Sequence, residues 1–325
     1  MLLQDVHGRR INYLRLSVTD RCDMRCRYCM PAAGVAKLGH HQVLRYEELL
    51  LLARAAVSVG IEKIRVTGGE PLVRKGVVGF LDQLAAISGL RQLVLTTNGQ
   101  QLAGVAGELK AAGVQRLNIS LDSLVPEVFA SITRGGDLSR VRAGMAAAER
   151  AGIAIKLNMV VMRGVNDSEI ADFAALSLGK PYSVRFIEYM PAIQDPGWQA
   201  LVVPGEEILQ RLGERFSFTP IPRGELSGPA REFRIAGARG TIGVITALSG
   251  HFCGQCNRIR TTASGKVRNC LFSETEHDLR PLLAAGAIEP VREALRSLVA
   301  AKPTGHNMDT RGAGHAPFAM ARIGG

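Results

Sequence analysis

From residue 12 to about residue 188 the chain repeats one rhythm. Short β-branched or aliphatic segments fall at 13–19, 63–67, 93–97, 116–120, 155–161 and 183–188. Between them lie Ala- and Leu-rich stretches of helical period, such as 46–59 and 139–151. Polar Arg45 precedes the first of these, and Glu47 and Glu48 bring negative charge to its opening turn, where the helix dipole favours it. Ala112-Gly113 and Ala151-Gly152 place a glycine where a helix must stop before the next strand. Strands alternating with helices predict a parallel sheet with right-handed crossovers. Six such units fall short of a closed eight-fold barrel. The expected fold is therefore α/β, a partial (β/α)6 TIM-like barrel or open curved sheet over residues 1–190.

After Glu188 the rhythm breaks. Residues 190–205 are rich in Pro and Gly and carry Trp198, the single tryptophan. Helical patterns near 206–212 and 290–300, with short strands between them, predict a smaller α+β region over 191–302. Residues 303–325 are glycine-rich with little hydrophobic pattern, and on composition alone they form a disordered tail.

Composition narrows the class. With 325 residues and 46% hydrophobic content, the chain can bury a large core. Its longest apolar runs, such as 241–248, are too short to cross a bilayer. The opening Met1-Leu2-Leu3-Gln4-Asp5 lacks the basic and apolar regions of a secretory signal, so a cytoplasmic protein is expected. The net charge of +11 is spread through the chain, without basic blocks or aromatic interleaving. That distribution suits a phosphate-bearing small molecule better than a nucleic acid.

The cysteines carry the chemistry. All six fall into two triads: Cys22, Cys26 and Cys29 in C-x3-C-x2-C spacing, and Cys253, Cys256 and Cys270 in C-x2-C-x13-C spacing. Clustered thiols in a reducing compartment point to metal or redox use in preference to disulfides. Three thiolates hold three irons of a cubane cluster and leave the fourth open to a ligand. A structural zinc site asks for four ligands, and His251 and His277 keep a Cys3His zinc site open for the second triad. Arg15, Arg65 and Lys156 lie on or at the ends of three different strands, so they can converge on one mouth, where cations suit phosphate oxygens.

The run Cys22-Asp23-Met24-Arg25-Cys26-Arg27-Tyr28-Cys29, just after the first strand, resembles the signature of the radical S-adenosylmethionine superfamily. Thr67-Gly68-Gly69-Glu70-Pro71, one strand later, resembles that superfamily's glycine-rich segment. Within it, the chain is similar over nearly its whole length to the GTP 3′,8-cyclase family. The matching segments are Tyr13-Leu14-Arg15-Leu16-Ser17, Thr96-Thr97-Asn98-Gly99, Asn118-Ile119-Ser120-Leu121-Asp122, Lys156-Leu157-Asn158 and Arg185-Phe186-Ile187-Glu188-Tyr189-Met190. Cys253-Gly254-Gln255-Cys256-Asn257-Arg258-Ile259-Arg260, Lys302-Pro303 with His306 and Met308, and the terminal Ile323-Gly324-Gly325 extend the match. One departure is Asp23, where the family usually has asparagine.

The resemblance implies two [4Fe–4S] clusters, one on each triad, with S-adenosylmethionine on the first and the guanine base of GTP on the second. It places S-adenosylmethionine against Tyr28, Gly69, Ser120 and Met190. It places GTP against Arg15, Arg65, Thr96, Lys156, Arg258, Ile259 and Arg260. It implies that a 5′-deoxyadenosyl radical takes the ribose C3′ hydrogen of GTP and that C3′ then attacks guanine C8. The product, 3′,8-cyclo-GTP, is the first intermediate of molybdenum cofactor biosynthesis and passes to cyclic pyranopterin monophosphate synthase. A flavodoxin or ferredoxin as electron donor, and a monomer or homodimer, complete the expectation. Gly324 and Gly325, lacking Cβ atoms, are expected to reach into the active site. Two other classes stay open. A radical maturase of peptides would carry more C-terminal cysteines, and an iron–sulfur or zinc protein of nucleic acid would bind with steep salt dependence.

Overall fold

A computed structural model describes residues 3–193, 197–250, 252–306 and 320–323. Six strands lie side by side, parallel and in chain order: β1 (Tyr13–Ser17), β2 (Lys63–Thr67), β3 (Gln92–Thr97), β4 (Arg116–Ser120), β5 (Ala154–Val161) and β6 (Ser183–Glu188). The crossovers carry α1 (Tyr46–Ser58), α2 (Val77–Ala85), α3 (Ala106–Ala111), α4 (Pro126–Thr133), α5 (Leu138–Arg150) and α6 (Ile170–Gly179). The end signals read from the sequence hold. Glu48 Oε2 accepts the Arg45 backbone N–H at 2.7 Å, and Gly113 and Gly152 take φ values of 79° and 67°, which side-chain-bearing residues adopt only with strain.

The later region follows with α7 (Gly205–Gly213), β7 (Phe218–Ile221), β8 (Arg231–Ile235), β9 (Thr241–Ile245), β10 (Arg258–Thr261), β11 (Lys266–Arg268), β12 (His277–Asp278), α8 (Arg280–Ala284), α9 (Ile288–Ala300) and α10 (Met320–Ile323). It does not stand apart from the first six strands. β9 pairs parallel with β6, and β10 pairs parallel with β1. Eight parallel strands result where the sequence predicted six. Antiparallel β8 and β7 extend one edge, and β11 and β12 the other. The order runs β12-β11-β10-β1-β2-β3-β4-β5-β6-β9-β8-β7, and its two ends do not pair, so the sheet stays open.

The two faces of the sheet differ in chemistry. Leu14, Leu16, Ile64, Val66, Leu117 and Ile119 are fully buried in one apolar core that includes Leu49 and Leu52 of α1. Their alternates in the same strands are Arg15, Arg65, Arg116 and Asn118. Parallel strands covered on both faces ordinarily read as continuous apolar runs. A polar inner face on such a sheet marks a cavity.

Candidate active site

A cavity of about 270 Å³ opens on that inner face, and all six cysteines line it. The triads are more than 220 residues apart, taking 253 minus 29. They meet because β10 brings the second one beside β1, which leads to the first.

Cys22, Cys26 and Cys29 sit in the loop after β1 as free thiols. Burial pushes Cys22 up to about 11 and Cys29 up to about 12, and Cys22 as a thiolate raises both partners further. Thiolates so placed require a cationic centre among them. The Met24 N–H lies 3.5 Å from Cys22 Sγ, and Asn98 Nδ2 lies 4.0 Å from it. Among the described residues, no three His, Cys, Asp or Glu groups are gathered as about one metal ion. A cubane asks for something else, one thiolate on each of three irons. The donor set fits such a cluster. Asp23 is anchored here, accepting from Asn98 Nδ2 at 2.6 Å and from Gln101 Nε2 at 3.1 Å.

The Gly68-Gly69-Glu70 segment is locked against the chain that enters this loop. Gly69 N donates to Thr19 O at 2.7 Å and Glu70 N to Arg21 O at 2.8 Å. A Cβ at Gly68 would stand 2.5 Å from Thr19 O, and one at Gly69 would stand 2.6 Å from Arg21 C, so only glycine fits at either position. The Glu70 carboxylate accepts from Leu72 N (3.0 Å), Thr97 Oγ1 (2.9 Å) and Asn98 N (2.6 Å), and burial pushes it up to about 7. Tyr28 donates its hydroxyl to Asp122 Oδ2 at 2.9 Å, and Val160 N donates to Asp122 Oδ1 at 2.9 Å. Tyr28, Gly69, Ser120 and Met190 all line the cavity. Glu70, Asn98 and Asp122 do too, although sequence reasoning gave them no role. Their motifs were visible, but the hydrogen bonds that employ them were not.

At the second triad burial still raises Cys253, but at Cys256 the electrostatics reverse. Burial would raise Cys256, but Arg258 and Lys302 outweigh it and bring the thiol down to about 6. Arg9 donates to the carbonyls of Cys253 (2.8 Å) and Thr304 (2.9 Å). Lys302 Nζ donates to the Arg258 carbonyl at 3.0 Å and to that of Asn269. His277 lies on the edge strand β12, opposite Val267, away from the cavity, and His251 falls outside the described residues. With His277 away from the cavity, Cys253, Cys256 and Cys270 lie beside Arg258, Lys302 and His306, and three thiolates in that basic setting again suit a cluster with one open iron.

The cations occupy the floor. In register, Arg15 of β1 lies between Arg65 of β2 and Arg260 of β10. These three, with Arg258 and Thr96, line the cavity as the sequence predicted. The Nε atoms of Arg15 and Arg65 and the Thr96 Oγ1 are buried without a hydrogen-bond partner among the described residues. Burial, followed by repulsion from its arginine neighbours, drives Arg15 well down and Arg260 down to about 9. The acidic residues lining the cavity are committed elsewhere. Glu188, for instance, accepts from Gly205 N (2.6 Å), Leu248 N (2.8 Å) and Ser249 N (3.0 Å). A buried positive surface of this kind matches a polyanion.

Two predicted contacts are placed differently. Lys156 does not line the cavity; its Nζ turns to Glu232 Oε1 at 3.3 Å. Ile259 alternates to the opposite face and is fully buried in the apolar core, which leaves only its backbone to face a ligand. Arg185, not singled out beforehand, does line the cavity. A lone arginine on a strand gives the sequence no sign of which face it takes.

Residues 16–176 match the Radical SAM superfamily, and residues 182–308 match Molybdenum Cofactor Synthesis C. The GTP 3′,8-cyclase of Geobacter sulfurreducens is 60% identical over 326 residues, covering 100% of both chains. This chain belongs to the GTP 3′,8-cyclase family. Another relative, the GTP 3′,8-cyclase of Moorella thermoacetica, is 48% identical over 99% of this chain and 100% of its own. Among solved structures, Streptococcus suis SuiB bound to S-adenosylmethionine superposes with a TM-score of 0.61 at 14% identity. That match spans 88% of this chain and 68% of SuiB, and it shows the shared fold alone. Membership of the radical S-adenosylmethionine superfamily brings one [4Fe–4S] cluster and S-adenosylmethionine.

The family's tail departs from its composition. Residues 320–323 form the short helix α10, with Ala321 and Ile323 buried. Met320 N donates to the Cys29 carbonyl at 3.3 Å, and Arg322 donates to the Ala36 carbonyl at 2.8 Å. Averaging over a glycine-rich stretch hid these few apolar residues. Gly324 and Gly325 lie outside the described residues. Among the described residues no helix is long and apolar enough to cross a membrane.

Proposed function

We propose that the protein converts GTP to 3′,8-cyclo-GTP, with one [4Fe–4S] cluster on Cys22, Cys26 and Cys29 and a second on Cys253, Cys256 and Cys270. The observation that carries this reading is that both triads open on one cavity whose floor is a row of arginines, Arg15 and Arg260 buried and Arg65 half-buried. Held by the first cluster, S-adenosylmethionine would supply the 5′-deoxyadenosyl radical that takes the C3′ hydrogen of GTP. C3′ would then bond to guanine C8, and an electron from the external donor with a proton would reduce the resulting aminyl-type radical to 3′,8-cyclo-GTP. Tyr28, Gly69, Ser120 and Met190 orient S-adenosylmethionine, with Tyr28 held by Asp122. Arg15, Arg65, Thr96 and Arg185 take the triphosphate, the three Nε atoms and the Thr96 Oγ1 being without a partner among the described residues, and Lys156 joins them from Glu232. Arg258 and Arg260 stand beside the second cluster and the base, and the backbone of Ile259 lies between them. A site for such a radical needs closure that would exclude quenchers.

Residues 1–190 then supply the radical core, 191–302 the second cluster, and 303–325 the closing tail. Gly324 and Gly325 complete that closure beyond α10. The enzyme works in the cytoplasm as a monomer or homodimer, takes electrons from a flavodoxin or ferredoxin, and hands its product to cyclic pyranopterin monophosphate synthase. Anaerobic reconstitution followed by iron counting and product analysis with GTP tests the reading. About eight irons per chain are expected. Cys26→Ala should abolish S-adenosylmethionine cleavage, whereas Cys256→Ala should spare part of it and remove cyclisation. Stoichiometric zinc at the second triad under anaerobic handling would refute the two-cluster assignment.

A further inference from the structure

Two cations of the inner face, Arg185 and Lys156, meet a carboxylate from outside the first six strands. Glu232 of β8 accepts Arg185 Nη2 at 2.6 Å and Lys156 Nζ at 3.3 Å on the same oxygen, Oε1. Both cations are nearly buried, with side chains 6% and 7% exposed, while Glu232 keeps a quarter of its side chain open to solvent. Register explains how the three meet. Arg185 of β6 lies opposite Gly243 of β9, and Gly243 lies opposite Glu232 of β8. A strand thus separates the two charged residues, and the residue of that strand in line with them has no side chain. A Cβ at Gly243 would stand 3.5 Å from Glu232 Cγ and 3.3 Å from Arg231 O. The glycine leaves the row clear for the guanidinium to cross it.

The consequence depends on where Arg185 points. It lines the cavity that holds both triads, and its Nε is buried without a partner. Lys156, also on the inner face, is drawn to Glu232 and lies away from the cavity. A carboxylate fixed beside the phosphate end acts on a polyphosphate in two ways. It competes for the same cations, and it repels the incoming charge at short range in a weakly screened setting.

We propose that Glu232 is a built-in competitor of the substrate's phosphates, holding Lys156 and Arg185 and so weakening polyphosphate binding and speeding release. This rests on the reading that the cavity takes a nucleoside triphosphate. Glu232 touches no reacting atom and is a specificity-setting residue, whose effect scales with the number of phosphates on the ligand.

The test is calorimetry on the anaerobically reconstituted full chain, wild type and Glu232→Gln, with inorganic triphosphate, GTP and guanosine. Glu232→Gln keeps the shape and an acceptor and removes the charge. It should bind inorganic triphosphate and GTP about tenfold more tightly, roughly 1.4 kcal/mol, and guanosine equally well. Its KM for GTP should fall. Iron content and thermal unfolding report folding, and if the glutamine variant is lost, Glu232→Met makes the same comparison. Triphosphate binding that is unchanged or weakened would overturn the proposal and leave Glu232 as a mere orienter of two cations. An equal gain for guanosine would also overturn it, because the effect would not follow charge. A wild type that binds inorganic triphosphate but not GTP would sink the functional reading, and tightening of triphosphate in Glu232→Gln would still support this inference.

Discussion

Gly69→Ala should disable the first cluster while leaving the phosphate end of the cavity intact. The added methyl would lie 2.6 Å from the carbonyl carbon of Arg21, where ordinary van der Waals contact begins at about 3.4 Å. The two segments must therefore part by at least about 0.8 Å, since the Arg21 carbonyl oxygen lies nearer still, and the contacting groups are backbone, with no flexible side chain to yield. Parting them strains the Gly69 N–Thr19 O and Glu70 N–Arg21 O hydrogen bonds, at 2.7 and 2.8 Å. Overpacking of this kind costs roughly 1–3 kcal/mol, and a lost hydrogen bond adds about 0.5–1.5 kcal/mol. Against a total stability of about 5–15 kcal/mol the protein should still fold. Arg21 is bonded to Cys22, however, so most of the displacement reaches the first thiolate, and a site loosened beyond about 0.5 Å loses function. Iron analysis and calorimetry are the assays. Iron should fall from about eight toward four per chain, S-adenosylmethionine binding should be lost, and GTP affinity should stay within about threefold, a change of under 1 kcal/mol. A Gly69→Ala protein with full iron and wild-type S-adenosylmethionine affinity would refute the reasoning.

Arg65→Ala and Arg185→Ala should each weaken GTP binding by about 1–3 kcal/mol and leave S-adenosylmethionine binding unchanged. Equal losses for both ligands would make these residues general supports of the fold. Burial and the neighbouring Arg185 pull Lys156 below its ordinary value, and Glu232 only partly offsets them, so phosphates that meet Lys156 should bring proton uptake on binding, with affinity falling as pH rises. Calorimetry in buffers of different ionisation enthalpy measures the uptake, and none detected would mean that Lys156 does not meet the triphosphate. By the same linkage, the lowered folded-state value costs stability at low pH and releases that cost as pH rises toward the ordinary lysine value. Deleting Gly324 and Gly325 should leave iron content and GTP affinity nearly intact and sharply reduce cyclisation, and a truncated chain with full activity would return those residues to ordinary tail.

The strand–helix rhythm, the helix stops at Gly113 and Gly152, and the two cysteine triads were legible from the chain because each is a local pattern. Alternation in a strand and capping at a helix end are settled within about ten residues, and the ligand spacing of each triad within about twenty. Arg15, Arg65 and Arg260 came from the family resemblance, whose motifs are likewise short, and the strand positions of Arg15 and Arg65 agreed with it. The tertiary structure alone decided which distant segments share a face. It brought β9 and β10 against β6 and β1, which turned six parallel strands into eight and set both triads on one cavity. It turned Lys156 onto Glu232, buried Ile259 in the core, and docked α10 beside Cys29. None of these follows from spacing, because strand pairing and side-chain charge compensation depend on residues that are neighbours only after the chain has folded.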